Sequence, residues 1–483
     1  MMQMTPAEVA RVTGAQLLVD GSRPCTALTI DSRTAGPDRA FVAIVGERTD
    51  GNSFAEAAVQ AGAPFVTLTA DAPAGLIDVA READCALLRA ADDDAEEFLL
   101  RLAAHVRAAH DWAVVAVTGS VGKTTTKDLT AAALAGSYRV HATVGNYNNL
   151  LGLPLTILAA PEDAQVLVLE MGMNHAGEID RLAACAAPHL AAITNVGTAH
   201  IGLLGSREGI ARAKAEIVPH VAADHGVSCV GPIEQRLFLV GEDDFTPFIA
   251  DECAGALGLP VTRVGWSEVN DVRGSQLAFD DGGHPSFCVT LPDGRSQQLG
   301  LALTGRASAT DALIALGIAT RLGVDVGVAA QRLAEARVTR MRQEVHTRAD
   351  GLRVIDDSYN ASPESMAAAL DVLFSLNCEG KRVAVLGEMG EQGDEAPRLH
   401  QLTGAYAAAK NPEILAIIGG ELADQMAEGA TTMGMDIGQI ARYDTVDAAL
   451  DALAPVLGSQ DLVLVKASRS AGLDAFAKGV LDR

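Results

Sequence analysis

A three-domain α/β protein is the fold class this sequence predicts. A small mixed α/β domain comes first, then a central doubly wound domain around a phosphate-binding loop, then a Rossmann-like C-terminal domain. Three observations carry the prediction. Short continuous apolar runs alternate with helical stretches from residue 113, and again after about residue 330, as buried parallel strands and their crossover helices require. The glycine-rich segment TGSVGKTTT lies between one such run and a helix. The chain has 483 residues, which at roughly 150 per domain makes about three.

Residues 1–91 read as the first domain, with apolar runs at 15–20, 41–46 and 65–70 and a helical stretch near 53–62. The acidic run Asp92-Asp93-Asp94 then precedes EEFLLRLAAHVRAAH. Carboxylates in a first turn offset the helix dipole, so a helix and a domain boundary are expected here rather than a metal site. The central domain spans 92–329, with buried strands at 113–117, 165–170 and 190–196. The last spans 330–483, with strands at 352–357, 382–387, 414–420 and 461–468 and alanine-rich helices between them.

Composition excludes several classes. Hydrophobic residues make up 49% and charged residues 20%, which rules out a disordered chain. A net charge of −25 repels phosphate backbones, so nucleic-acid binding is not expected. The seven cysteines form no Cys-x-x-Cys pair, which suits a reducing cytoplasm. No signal-peptide core and no stretch of 18 apolar residues occurs. A cytoplasmic monomer without membrane insertion is the expectation.

In TGSVGKTTT, the backbone of Gly119, Ser120, Val121 and Gly122 can wrap phosphates. Lys123 can reach the β- and γ-phosphates, and the hydroxyl of Thr124 or Thr125 can ligate Mg²⁺. Val117 departs from GxxxxGK[ST], which wants glycine there. Glu170 ends a parallel strand beside this loop, placed to hold Mg²⁺ directly or through water. Asn195 and His200 follow the next buried strand by the same logic. Lys214 falls on the apolar stripe of the helix near 208–218. A buried lysine becomes a neutral amine able to react with CO₂, and a snorkelling side chain is the plainer alternative.

The segments TGSVGKTTTK, VGNYNNLLGLPLT, LEMGMNHAGEI, TNVGTAHIGLLGS and DDSYNASPESM together resemble the ATP-dependent Mur ligases of peptidoglycan synthesis. They are most similar to those that add D-alanyl-D-alanine. The likeness runs the whole chain, and the family's loop begins TGxxGKT, which accommodates Val117. It implies ligation of D-Ala-D-Ala to UDP-MurNAc-tripeptide through an acyl phosphate, with ATP and Mg²⁺. By position, Asp31, Ser32 and Arg33 match a uridine-nucleotide turn, and Asn148 and Asn149 a substrate loop. Lys123 and Asp357 fall on catalytic positions, Arg342 and Asn360 on nucleotide contacts from the last domain. Thr124, Glu170, His200 and Lys214 fall on metal-associated positions, Lys214 on a lysine carbamylated in related ligases. Lys466 and Arg469 match a basic turn that can pair with a substrate anion. Ala307, Ser308 and Asp311 stand where relatives carry His and Asn near adenine, which implies weaker ATP binding. The rivals are a ligase adding the third amino acid, whose DNPR motif is missing, and a nucleotide-binding regulator without ligase activity. Folylpolyglutamate synthase shares the ATP core but lacks the first domain.

Overall fold

The computed structural model describes residues 3–483 except 47, 227, 338 and 340. It holds three mixed sheets in chain order. The first orders its strands Gln16–Val19, Ala86–Arg89, Phe65–Leu68, Arg39–Val42 and Ala27–Thr29, antiparallel only at the first pair. The acidic run acts as a helix start: Asp94 accepts from the Glu97 N–H at 2.9 Å and caps the helix Ala95–Ala108.

The central sheet has nine strands. The parallel part runs from the edge Val140–Ala142 through Val166–Glu170, Ala113–Thr118, Leu190–Ile193, Arg236–Val240 and Val261–Gly265. Val272–Phe279 continues parallel, and the antiparallel strands Pro285–Thr290 and Ser296–Gly300 close the far edge. Alternate residues of Ala113–Thr118 enter two separate cores, because successive side chains of a strand point to opposite faces. Val114 and Ala116 pack toward the first domain and the helix Ala95–Ala108, whereas Ala113 and Val115 pack against the helix Gly305–Arg321. Buried on both faces, such a strand reads as an uninterrupted apolar run.

The third sheet repeats the scheme with Arg353–Asp357, Leu462–Lys466, Arg382–Gly387, Ile414–Ile418 and Ile440–Tyr443 in parallel. The antiparallel strand Glu344–Thr347 forms its edge. No helix among the described residues is long and apolar enough to cross a membrane.

Candidate active site

The C-terminal ends of the central parallel strands carry the chemistry, as open α/β sheets generally arrange it. Ala113–Thr118 ends in the glycine-rich turn, which opens the helix Lys123–Ala135. Gly119 has φ +150°, and a Cβ there would run into the Thr194 hydroxyl. Gly122 has φ +86° and lies against the Asp311 carboxylate, so both positions require glycine. The loop after Leu190–Ile193 braces the turn. Asn195 Oδ1 accepts from the Val121 N–H and its Nδ2 donates to the Val121 carbonyl, each at 2.9 Å.

Lys123 donates to the Gly119 and Ser120 carbonyls at 2.9 and 3.3 Å. Burial lowers its pKa, opposed by Glu170. Glu170 is 2% exposed. Its Oε1 accepts from Asn148 Nδ2 at 2.7 Å, while its buried Oε2 has no hydrogen-bond partner. Thr124 is buried at the start of the loop helix. His200 precedes the short helix Ile201–Leu204 in the left-handed region at φ 65°, an uncommon backbone conformation outside glycine.

Lys214 is 1% exposed on the helix Arg207–Ala215. Among the described residues no carboxylate forms an ion pair with it. Burial first, then the neighbouring Lys123, lowers its pKa well below the ordinary lysine value. A buried amine in that setting is held toward the neutral, nucleophilic form.

The third domain closes the other side of a cavity of about 1130 Å³. Ser120 through Thr125, Asn148, Asn149, Glu170 and His200 line it from the central domain; Arg342, Asp357, Asn360, Lys466 and Arg469 line it from the third. The Arg342 guanidinium lies over the Tyr359 ring, 4.6 Å from its centre, with a buried, unpartnered Nε. Asp356 and Asp357 are both buried. Asp356 holds the next turn through the Ser358 hydroxyl at 2.6 Å, and Asp357 pairs with Lys466 at 2.8 Å. Burial raises the Asp357 carboxyl despite that lysine.

Several positions differ from the sequence expectation. Lys466 is not on an exposed basic turn: it ends a buried strand, and its ammonium is engaged by Asp357 and the Asn360 carbonyl at 2.9 Å. Only Arg469 of that pair stays exposed. Asn149 Oδ1 accepts from the Gly152 N–H at 2.8 Å, so its carbonyl oxygen serves the start of the helix Gly152–Leu158. Ala307, Ser308 and Asp311, the positions expected near adenine, line the cavity. The Asp311 carboxyl also accepts from Thr126 at 2.9 Å beside Gly122, because helix Gly305–Arg321 packs on the loop helix. The Ser308 hydroxyl donates to the Gly305 carbonyl at 2.8 Å. Asp31, Ser32 and Arg33 lie outside this cavity, with Arg33 folded back bidentately on Asp31 at 2.9 and 2.7 Å. That contact holds the Asp31 carboxyl down at about 2.

Two carboxylates of the third domain were missed. Glu391 Oε2 lies 2.6 Å from His200 Nδ1, and Glu364 accepts from the Thr198 N–H at 2.7 Å. Glu391 lies in the loop after the buried parallel strand Arg382–Gly387, where the strand-end pattern that singled out Glu170 points first to Glu388. Glu364 sits in the first turn of Pro363–Ser375, where an acid reads simply as a helix-dipole partner.

Family models cover all three parts of this architecture. The Mur ligase family catalytic domain matches residues 24–107, the middle domain 117–319, and the glutamate ligase domain 341–469. The chain belongs to the Mur ligase family. This Mur ligase is 35% identical to the UDP-N-acetylmuramoyl-tripeptide–D-alanyl-D-alanine ligase of Mycobacterium tuberculosis (strain ATCC 25618 / H37Rv), covering 100% of this chain and 98% of the relative. It is 34% identical to the Bacillus subtilis (strain 168) enzyme of the same name, over 94% and 92%. Its fold superposes on MurF from Acinetobacter baumannii with a TM-score of 0.88 at 29% identity, covering all of both chains. MurF from Thermotoga maritima in complex with ADP gives 0.76 at 25% identity, over 95% and 98%.

Proposed function

We propose that this Mur ligase joins D-alanyl-D-alanine to UDP-N-acetylmuramoyl-tripeptide at the expense of ATP, in peptidoglycan precursor synthesis. One observation carries the reading beyond the end-to-end likeness. A single cavity brings the phosphate loop together with charged and polar groups of the third domain, as a reaction between ATP and two further substrates needs. Residues 92–329 would bind ATP, residues 1–91 the uridine nucleotide through Asp31, Ser32 and Arg33, and residues 330–483 would close over both.

The chemistry follows from the carboxylate, a poor acyl donor because oxide is a poor leaving group. Its oxygen attacks the γ-phosphorus of ATP, and ADP departs. Lys123 and the N–H groups at the helix start would balance the charge that moves onto the β–γ bridging oxygen. The amine of D-Ala-D-Ala then attacks the acyl carbonyl, phosphate leaves, and the nitrogen loses a proton. Arg342 would meet the phosphates from the third domain, with Asp357 and Asn360 holding the loop around it. The main contribution of the protein is alignment.

Mg²⁺ fits the residues present. Glu170 offers a buried oxygen without a partner, and Thr124 lines the same cavity. Among the described residues no group of three or more His, Cys, Asp or Glu could cage a metal. One carboxylate plus phosphates and waters is the donor set Mg²⁺ favours, and it would neutralise phosphate charge there. His200 and Lys214 would serve a second position if the Lys214 nitrogen bonds CO₂ and releases a proton, giving a carbamate. Isotope-labelled bicarbonate should then yield a carbamate carbon resonance that Lys214→Arg lacks, and a spectrum identical in both proteins would remove that role.

Phosphate release from ATP is the deciding assay. It should require both UDP-MurNAc-tripeptide and D-Ala-D-Ala. Release supported by a single free amino acid on a shorter peptide would replace this reading with another Mur-type ligase, and no release under any condition would favour a regulator. Running lysine- and diaminopimelate-containing tripeptides side by side identifies the third residue.

A further inference from the structure

A run of buried and half-buried polar groups joins the connection into the third domain to the strand that ends in Glu170. At its centre is Lys127, one turn beyond Lys123 on the loop helix and 2% exposed. Its ammonium donates to Asp128 Oδ1 and, at 2.8 Å, to the Thr143 carbonyl. The other oxygen of Asp128 accepts twice from Thr339, from the backbone N–H and from the hydroxyl, each at 2.9 Å. Thr339 lies between the helix Val326–Ala334 and the first strand of the third sheet, Glu344–Thr347. On the opposite side, the Thr143 hydroxyl accepts from the Glu170 N–H at 3.0 Å.

Neither Lys127 nor Asp128 lines the cavity, so neither touches a substrate held there. Burying this pair is costly unless every charge is matched, and here both carboxylate oxygens and the ammonium are. What the matching fixes is the position of Thr339. Arg342 follows three residues later, and three residues span at most roughly 10 Å. Fixing Thr339 therefore confines the Arg342 backbone to the rim of the phosphate loop.

We propose that Asp128, held by Lys127, is a positioning residue that anchors the interdomain connection at Thr339, so that Arg342 and Asp357 arrive in register with the phosphate loop and Glu170. The inference rests on the ligase reading above. It predicts an effect on the closed, reacting complex and little on ATP binding itself, which the central domain provides.

The test uses the full chain and three variants: Asp128→Ala, Thr339→Val and Thr339→Ser. Thr339→Val removes the hydroxyl bond to Asp128 from a half-buried side chain that also borders the cavity. The ATP-analogue binding arm therefore separates a lost anchor from a lost nucleotide contact, and the variant remains decisive if Asp128→Ala fails to fold. Expected for Thr339→Val is a kcat lower by about three- to tenfold, with the dissociation constant of a non-hydrolysable ATP analogue within about twofold of wild type. Thr339→Ser restores kcat. Trypsin, which cuts after Arg337, Arg340 and Arg342, should cleave the free Thr339→Val protein faster at this connection, with the thermal midpoint unchanged. Wild-type kcat in both Thr339→Val and a folded Asp128→Ala overturns the proposal. Analogue binding that weakens in step with kcat also overturns it, since the pair would then be part of the nucleotide site. If the wild-type chain releases no phosphate with its substrates, the ligase reading fails by itself, and the trypsin and binding arms still decide the anchor.

Discussion

Asp311 and Lys123 flank the same glycine turn, and burial moves both away from their charged forms. For Asp311 the shift is large: desolvation raises its carboxyl from 3.8 to about 8, against the Thr126 hydrogen bond and Arg342. Between those values the folded chain keeps a proton that the unfolded chain has lost. The contribution to stability is therefore complete below pH 3.8 and is lost as pH rises through about 8. Asp311→Asn keeps an acceptor for Thr126 without the titration. Its advantage over wild type should grow between pH 5 and 8, reaching about 1–3 kcal/mol in urea unfolding. A constant difference across that range would show that Asp311 ionises normally. Lys123→Ala acts on turnover instead. Losing one cation aimed at the transferred phosphoryl group should lower kcat by about 10²–10³-fold. The thermal midpoint should hold, because the ammonium bonds only two loop carbonyls; wild-type turnover would remove Lys123 from the phosphate site. These two residues were not equally legible. Lys123 announces itself by spacing from the glycines. The partner of Asp311 is 185 positions away in sequence, and only helix packing reveals it.

At the level of elements, legibility followed burial. Strands covered on both faces, such as Val166–Glu170 and Arg382–Gly387, appear as unbroken apolar runs and were placed within a residue or two. The hairpin strands Val272–Phe279, Pro285–Thr290 and Ser296–Gly300 were not assigned from sequence. Each shows one face to solvent, and their mixed pattern of polar and apolar residues carries no comparable run. Strand ends were overextended for a related reason. The strands stop at residues 418 and 193, where Gly419-Gly420 and Thr194-Asn195 carry the chain into loops that the apolar runs alone do not delimit. The start of Pro363–Ser375 is a serine cap followed by proline, a pattern visible in Ser362-Pro363. Ser362 accepts from the Ser365 N–H, the Ser365 hydroxyl accepts from the Ser362 N–H at 2.8 Å, and Pro363 occupies the first helical position. Ser362→Ala should cost about 1 kcal/mol in chemical unfolding. The same turn carries Glu364, so the variant should also loosen the contact with Thr198, seen as faster amide exchange there. Unchanged exchange at Thr198 would mean that Glu364 is held independently of the cap.

For the whole molecule, the question is what keeps the third domain docked on the central one. The net charge of −25 gives no general attraction between acidic lobes. Docking must come from specific groups, and the Glu364 carboxylate is the clearest. It accepts from the Thr198 N–H, and it lies so close to Gly197 that a Cβ there would overlap it. Removing the acceptor leaves a part-buried backbone donor unpaired, a loss of about 1–3 kcal/mol concentrated at one interface. Neither sheet contributes to that contact, so the cores should survive. Glu364→Ala is therefore expected to unfold at nearly the wild-type temperature while its radius of gyration in small-angle scattering increases. Glu364→Gln retains a carbonyl oxygen to accept the same N–H and should keep the wild-type radius. That pairing separates geometry from charge. A Gln variant as expanded as the Ala variant would assign the docking to the carboxylate's charge. An Ala variant as compact as wild type would show that the remaining links, Glu391 against His200 and Asp128 with Thr339, suffice to hold the two domains together.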